Sequence, residues 1–146
     1  EMFYKIYKYH PFQNIYFNNL QSSEKKLNFE RDIQSLSRFE ALKNILDNDS
    51  SNKIKISTAS FTPLADVLYM FSKEDIERIK FIGTNSKDKA DYIYTNYIYE
   101  VDIRYNKKYK IPENFYLFKS VIKDGTLIYS IYKREQWNIL YTNVWF

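Results

Sequence analysis

Asp124-Gly125 stands between two runs rich in β-branched and aromatic residues, Phe115 to Ile122 and Thr126 to Lys133. A two-residue hairpin turn needs positive φ, which glycine adopts without steric cost. The chain has only 2 glycines, so placing one here is a specific choice. An antiparallel hairpin is predicted for this part of the chain.

Upstream, the pattern alternates between helix and strand periods. Met2, Phe3, Ile6 and Tyr7 fall on one helical face, and Pro11 disfavours helical geometry at His10. Ile15 to Phe17 reads as a short buried strand or turn, and Gln21 to Asn28 as a polar loop. Ser37-Arg38-Phe39-Glu40 has the form of a capping box, with Ser37 expected to accept from the N3 amide. Phe39, Leu42, Ile45 and Leu46 then recur at helical spacing. Lys53 to Ser57 alternates as a strand does. Thr62-Pro63 opens a second helix, with Pro63 expected at its first position and Leu64, Val67, Leu68 and Phe71 as its buried stripe. Ser72 with Asp75 caps a short turn. Ile79 to Ile82 and Ala90 to Thr95 read as two more strands.

Strands alternating with helices imply a parallel sheet built through right-handed crossovers. The predicted architecture is a single layered α/β domain with a mixed sheet: a parallel βαβ part plus a C-terminal antiparallel hairpin. Its expected core is Phe39, Leu42, Ile45, Ile54, Ile56, Leu64, Val67, Leu68, Ile79, Phe81, Ile93 and Leu117.

Composition narrows the chemistry. The 146 residues fit one domain, and 45% hydrophobic residues supply a core. There is no cysteine and one histidine, so disulfides and Cys-ligated zinc are excluded. Net charge is +4, a mild basic excess suited to anionic lipid or phosphate without demanding a nucleic-acid partner. No run reaches the roughly 18 apolar residues of a membrane helix. Two isolated glycines exclude a Walker loop and a dinucleotide-binding turn, and no serine has the flanking glycines of a nucleophile elbow. A triad through His10 has no local support. No cofactor is expected.

Among the carboxylates Glu30, Asp32, Asp66, Glu100 and Asp102, the pair Glu30 and Asp32 would share a face in a strand, as a general acid and base do. The commoner meaning of such a pair is a solvated loop. The segment from Tyr92 to Tyr109 interleaves tyrosines with Lys and Arg, a pattern that stacks on sugars or bases. The plainer expectation is a sheet whose tyrosine rings pack while their hydroxyls reach water. Asp91, Glu100 and Asp102 interrupt the basic residues, so nucleic acid is not an expected partner.

The stretch from Tyr9 to Asn18, YHPFQNIYFN, holds the only histidine among aromatics and amides. It resembles the HPYQYVYFN motif of bacterial polytopic membrane glycosyltransferases of the GT-C type, which are similar to the dolichyl-phosphate-mannose protein mannosyltransferases. Phe29-Glu30-Arg31-Asp32, Leu36-Ser37 and Glu40-Ala41-Leu42 resemble the family's FE-x-DYWG-x-S-x-x-EA segment in the right order. Ala90-Asp91-Tyr92 resembles its ADY, and the closing hairpin its last two strands. The likeness runs from about His10 to Lys133. Gln21 to Lys26 stands where the family has glycines, and Ile33-Gln34 where it has an aromatic pair.

The resemblance implies a soluble C-terminal domain on the extracytoplasmic face of a bacterial membrane. The parent enzyme would move sugar from a polyprenyl-phosphate donor, with its catalytic acid in the membrane half, so this chain would be a non-catalytic accessory domain. Its opening at Glu1 fits a piece of a longer protein. Residues 1-18 would form the membrane-proximal joint and 19-146 the α/β domain. Expected partners are the membrane half, the membrane surface and a glycan or protein acceptor. Candidate contact residues are Tyr9, His10, Phe12, Gln13, Tyr16, Asn18, Glu30, Asp32, Asp91 and Tyr92. The alternative is a free-standing glycan- or protein-binding module that uses a tyrosine-rich surface.

Overall fold

A computed structural model describes residues 2–10, 36–100, 104, 107–123 and 125–135. The expectations for 11–35, including the short strand, the polar loop and the Glu30/Asp32 pair, lie outside the described residues.

Helix α1 spans Met2–Tyr9 and α2 spans Leu36–Asn48. The α2 stripe is Ala41, Leu42, Ile45 and Leu46, all buried. Asn44 and Asn48 each turn their side-chain amide back to the carbonyl four residues earlier. Past the helix end, Asp49 accepts from the Ser51 amide at 3.0 Å and reverses the chain.

Ser37 does not act as the expected cap. It lies inside α2, and its hydroxyl meets the Tyr94 hydroxyl at 2.5 Å in the interior. A tertiary partner claims the group that a local cap would have used.

One sheet of five strands follows, in the order β2-β1-β3-β5-β4. The strands are β1 (Ile54–Thr58), β2 (Ile79–Phe81), β3 (Tyr92–Thr95), β4 (Phe115–Lys123) and β5 (Thr126–Arg134). The first three pair in parallel; β5 runs antiparallel to β3 and to β4. The mixed α/β architecture is therefore as expected.

The two crossovers occupy opposite faces. From β1 the chain passes through a 3-10 helix (Leu64–Met70) and α3 (Lys73–Arg78) to β2. Leu64 and Val67 join α2, Tyr92 and Tyr94 in the larger core. The chain then returns over β1 through a 3-10 segment (Thr84–Lys89) into β3. Ala90 and Ile82 pack there with Ile93, whose side chain points opposite to Tyr92 and Tyr94. Crossovers running in opposite directions must cover opposite faces if both are right-handed.

Two local expectations shift. Pro63 caps its helix from outside rather than opening it, and that helix is 3-10. Buried Leu64 and Val67, three residues apart, match the tighter period. Ser72 does cap α3: its hydroxyl accepts from the Asp75 amide at 3.1 Å and donates to the Asp75 carboxylate at 2.9 Å.

The hairpin forms as predicted. Lys123 pairs with Thr126, and Gly125 has φ +74°. A bulge between Leu117 and Lys119 inserts Phe118 as an extra residue. Phe118 turns toward the larger core and meets Tyr92 edge-on, with ring centroids 5.8 Å apart. Leu117 is left 53% exposed on the outermost strand, which corrects its expected burial. The other expected core residues are buried or half-buried.

Candidate functional site

Tyrosine dominates the interior. Tyr92, Tyr94, Tyr109 and Tyr129 are fully buried side chains. A buried phenol needs a polar partner for its hydroxyl, and each has one. Tyr92 donates to Asp49 at 3.0 Å and Tyr129 to Glu40 at 3.4 Å. Tyr94 meets Ser37, and Tyr109 donates to Glu100 at 2.9 Å. Thus α2 and the residue just past it hold three sheet tyrosines by their hydroxyls. The plainer expectation for the tyrosine-rich segment holds for the rings, but these hydroxyls reach side chains of the protein.

Asp91 and Tyr92 fall at the amino end of β3. The Asp91 carboxylate accepts from the Lys55 amide at 2.8 Å, and its own amide donates to the Lys55 carbonyl. Asp91 therefore extends the β1–β3 ladder. Tyr92 is buried beneath the Lys133 ammonium, 5.2 Å from its ring centroid. Burial pushes the Tyr92 hydroxyl up from its usual range. Burial pushes Asp49 the other way from its final state, but hydrogen bonds from Ser51 and Tyr92 outweigh it and hold that carboxyl low. Both Asp91 and Tyr92 are thus engaged within the sheet.

The carboxyl ends of β1 and β3 form the place where open α/β sheets commonly bind ligands. A polar seam fills it. The Thr58 and Ser60 hydroxyls lie 2.8 Å apart, and the Ser60 and Thr62 hydroxyls 3.3 Å. Thr62 donates to the Asn96 side-chain carbonyl at 3.0 Å. Tyr97 follows with φ +62°, a strained backbone for a bulky residue. Its amide donates to the Thr95 hydroxyl at 3.1 Å, and its own hydroxyl donates to Ser130 at 2.6 Å. The Asn96 amide nitrogen has no partner among the described residues. Ser60, Thr95 and Asn96 are buried, so the seam is closed; Phe61 stands exposed beside it. Nearby, Arg38 donates to the Pro63 carbonyl at 2.8 Å and to Asp66 at 3.1 Å, binding α2 to the following crossover. Sequence reading singled out neither Arg38 nor Asn96. The hydroxyl-rich run from Ser57 to Thr62 was the available signal.

The second surface is α1. Phe3, Tyr4 and Tyr7 are 86%, 68% and 83% exposed. Phe3 and Tyr7 are one turn apart, as are Tyr4 and Lys8, so the aromatics share a side of the helix. Lys8 and His10 are also exposed. Of the expected contact residues, Tyr9 closes α1 and His10 follows it, its amide donating to the Tyr7 carbonyl at 3.3 Å. Phe12, Gln13, Tyr16, Asn18, Glu30 and Asp32 lie outside the described residues.

No helix among the described residues is long and apolar enough to cross a membrane. No group of His, Cys, Asp or Glu among them is arranged to hold a metal ion. No family model matches the chain, and neither a curated protein nor a solved structure matches it significantly. The fold defines a mixed α/β domain.

Proposed function

We propose that this chain is the non-catalytic accessory domain of an integral-membrane glycosyltransferase that draws sugar from a polyprenyl-phosphate donor. It would lie on the extracytoplasmic face of a bacterial membrane, with α1 toward the lipid. The ordered likeness from His10 to Lys133 supports the enzyme class. The observation that carries the membrane-facing role is the exposure of Phe3, Tyr4 and Tyr7 on one short helix. Aromatic rings with polar tips favour the headgroup level, and neighbouring lysines add attraction to anionic lipid. The partners are the membrane half of the parent enzyme and the membrane surface, with a role in acceptor recognition.

Sedimentation with phosphatidylglycerol vesicles tests this reading. The chain should bind, more weakly as salt rises, and a Phe3→Ser/Tyr7→Ser variant should bind several-fold less. Equal sedimentation of both proteins, or of neither, would remove the membrane-facing role. Incubated with polyprenyl-phosphate sugars and acceptors, the chain should give no product. Turnover above a heat-treated control would overturn the accessory role.

A further inference from the structure

A groove of about 210 Å³ lies between α2 and the turn that enters α3. Phe39, Lys43 and Asp47 follow one another at four-residue steps, so α2 presents all three along one wall. Met70, Phe71 and Asp75 line the other side, where the 3-10 helix gives way to α3. The Phe39 and Phe71 rings tilt together with centroids 5.0 Å apart and make an apolar floor. Met70 is exposed beside it, with a flexible thioether that adapts to what it packs against.

Charges of both signs line the same space. Lys43 and Asp47 are exposed, and among the described residues no ion pair joins either to another charge. Asp75 is set in place, because its carboxylate accepts from the Ser72 hydroxyl at 2.9 Å. Arg78 also faces Asp75, but at 3.8 Å, and it donates instead to the backbone carbonyls of Asp49 and Ser51. A carboxylate has about four lone-pair sites, so Asp75 keeps capacity for a ligand N–H. An ammonium at Asp47 and Asp75, with a carboxylate at Lys43, would receive charge-assisted hydrogen bonds at both ends.

We propose that this groove binds a free apolar α-amino acid. Lys43 takes the carboxylate, Asp47 and Asp75 take the ammonium, and the side chain lies on the Phe39 and Phe71 rings beside Met70. The volume suits one molecule of that size, since pockets for drug-sized ligands begin at about 300 Å³. The charges select a zwitterion. An apolar amine would set its cation near Lys43, and an apolar acid would face two aspartates; like charges brought together cost affinity. The proposal goes beyond the membrane-facing reading of α1 and stands independently of it.

The test is an amide NMR titration of the whole chain with millimolar L-phenylalanine, 2-phenylethylamine, which lacks the carboxylate, and 3-phenylpropionate, which lacks the ammonium. L-Phenylalanine should give saturable shifts centred on residues 39–47 and 70–75, and the other two should bind several-fold more weakly. Lys43→Gln should weaken L-phenylalanine about fivefold, the upper worth of an exposed ion pair, without weakening 2-phenylethylamine. Asp47→Asn should weaken L-phenylalanine by a similar factor without weakening 3-phenylpropionate. Lys80→Gln, which removes an exposed lysine of β2, should leave binding within about twofold. Thermal melts should show all three variants folded, since each substituted side chain is exposed. The proposal fails if L-phenylalanine gives no saturable shift, or if Lys43→Gln or Asp47→Asn binds it as Lys80→Gln does. If 2-phenylethylamine binds as tightly as L-phenylalanine, the groove takes a cation alone and the amino-acid assignment is overturned.

Discussion

The hydroxyls of Ser37 and Tyr94 lie 2.5 Å apart in the interior, joining the first turn of α2 to β3 across 57 positions of sequence. Both residues are fully buried, so the contact ties α2 to β3 within the interior. Ser37→Ala should cost about 1 kcal/mol in denaturant melts, the net worth of one such bond. Tyr94→Phe should cost a similar amount. The double variant should lose less than the sum of the two, and a purely additive cycle would show that the two hydroxyls are not coupled.

Leu42 and Leu117 are chemically identical and differently placed. Leu42 is fully buried on the inner side of α2, whereas Leu117 stands half in solvent beside the Phe118 bulge. Leu42→Ala should destabilise by about 2–5 kcal/mol through lost contacts and a residual cavity. Leu117→Ala should change stability by only about 0.5 kcal/mol. Chemical denaturation of both variants against the unsubstituted chain makes the comparison; equal losses would contradict the bulge.

The two glycines should respond oppositely to a methyl group. Gly125 has φ +74°, where an L side chain is strained although nothing blocks the space. Gly125→Ala should cost about 1 kcal/mol. Gly83 has φ −59° and ψ 148°, an ordinary extended backbone, with open space around an added Cβ. Gly83→Ala should be neutral or stabilising by about 0.4–1 kcal/mol, since it restricts the unfolded chain. Thermal unfolding of the pair distinguishes them.

High pH should unfold the domain through its tyrosines. Burial, with help from the neighbouring Tyr97 and Tyr99, pushes the Tyr132 hydroxyl up to about 12. Burial and the Glu40 carboxylate push Tyr129 up as well. An unfolded tyrosine gives up its proton near pH 10. Between about pH 10 and 12 the unfolded state therefore holds fewer protons than the folded one, and stability must fall as pH rises. Tyrosinate absorbance should rise together with loss of circular dichroism. Tyr129→Phe should shift that transition to higher pH. Gradual ionisation well ahead of unfolding would show that the hydroxyls are open to solvent.

Local chemistry was legible wherever it acts over a few residues. Asp124-Gly125 marked the hairpin, because only a small set of dipeptides tolerates the turn. Ser72 and Asp75 marked the start of α3, because a cap is complete within four residues. The apolar spacing of Leu42, Ile45 and Leu46 marked the buried stripe of α2 for the same reason. The candidate surfaces were less legible. Helical spacing puts Phe3 and Tyr7 on one face, but only the fold shows that both rings stay exposed. Arg38 and Asn96 carry no local pattern, because their partners Pro63, Asp66 and Thr62 lie 25 or more positions away.

The sequence by itself determined the five strands, the alternation that makes a parallel sheet, and the turn that adds the antiparallel pair. All of these follow from backbone sterics and the period of apolar residues, which neighbouring residues control. Only the tertiary structure decided which polar groups are used up inside the protein. Ser37 could have capped its helix, and Tyr92 could have faced a ligand. Ser37 instead meets Tyr94, and Tyr92 donates to Asp49. A buried hydroxyl without a partner is costly, so packing large tyrosines into the core commits the polar residues around them.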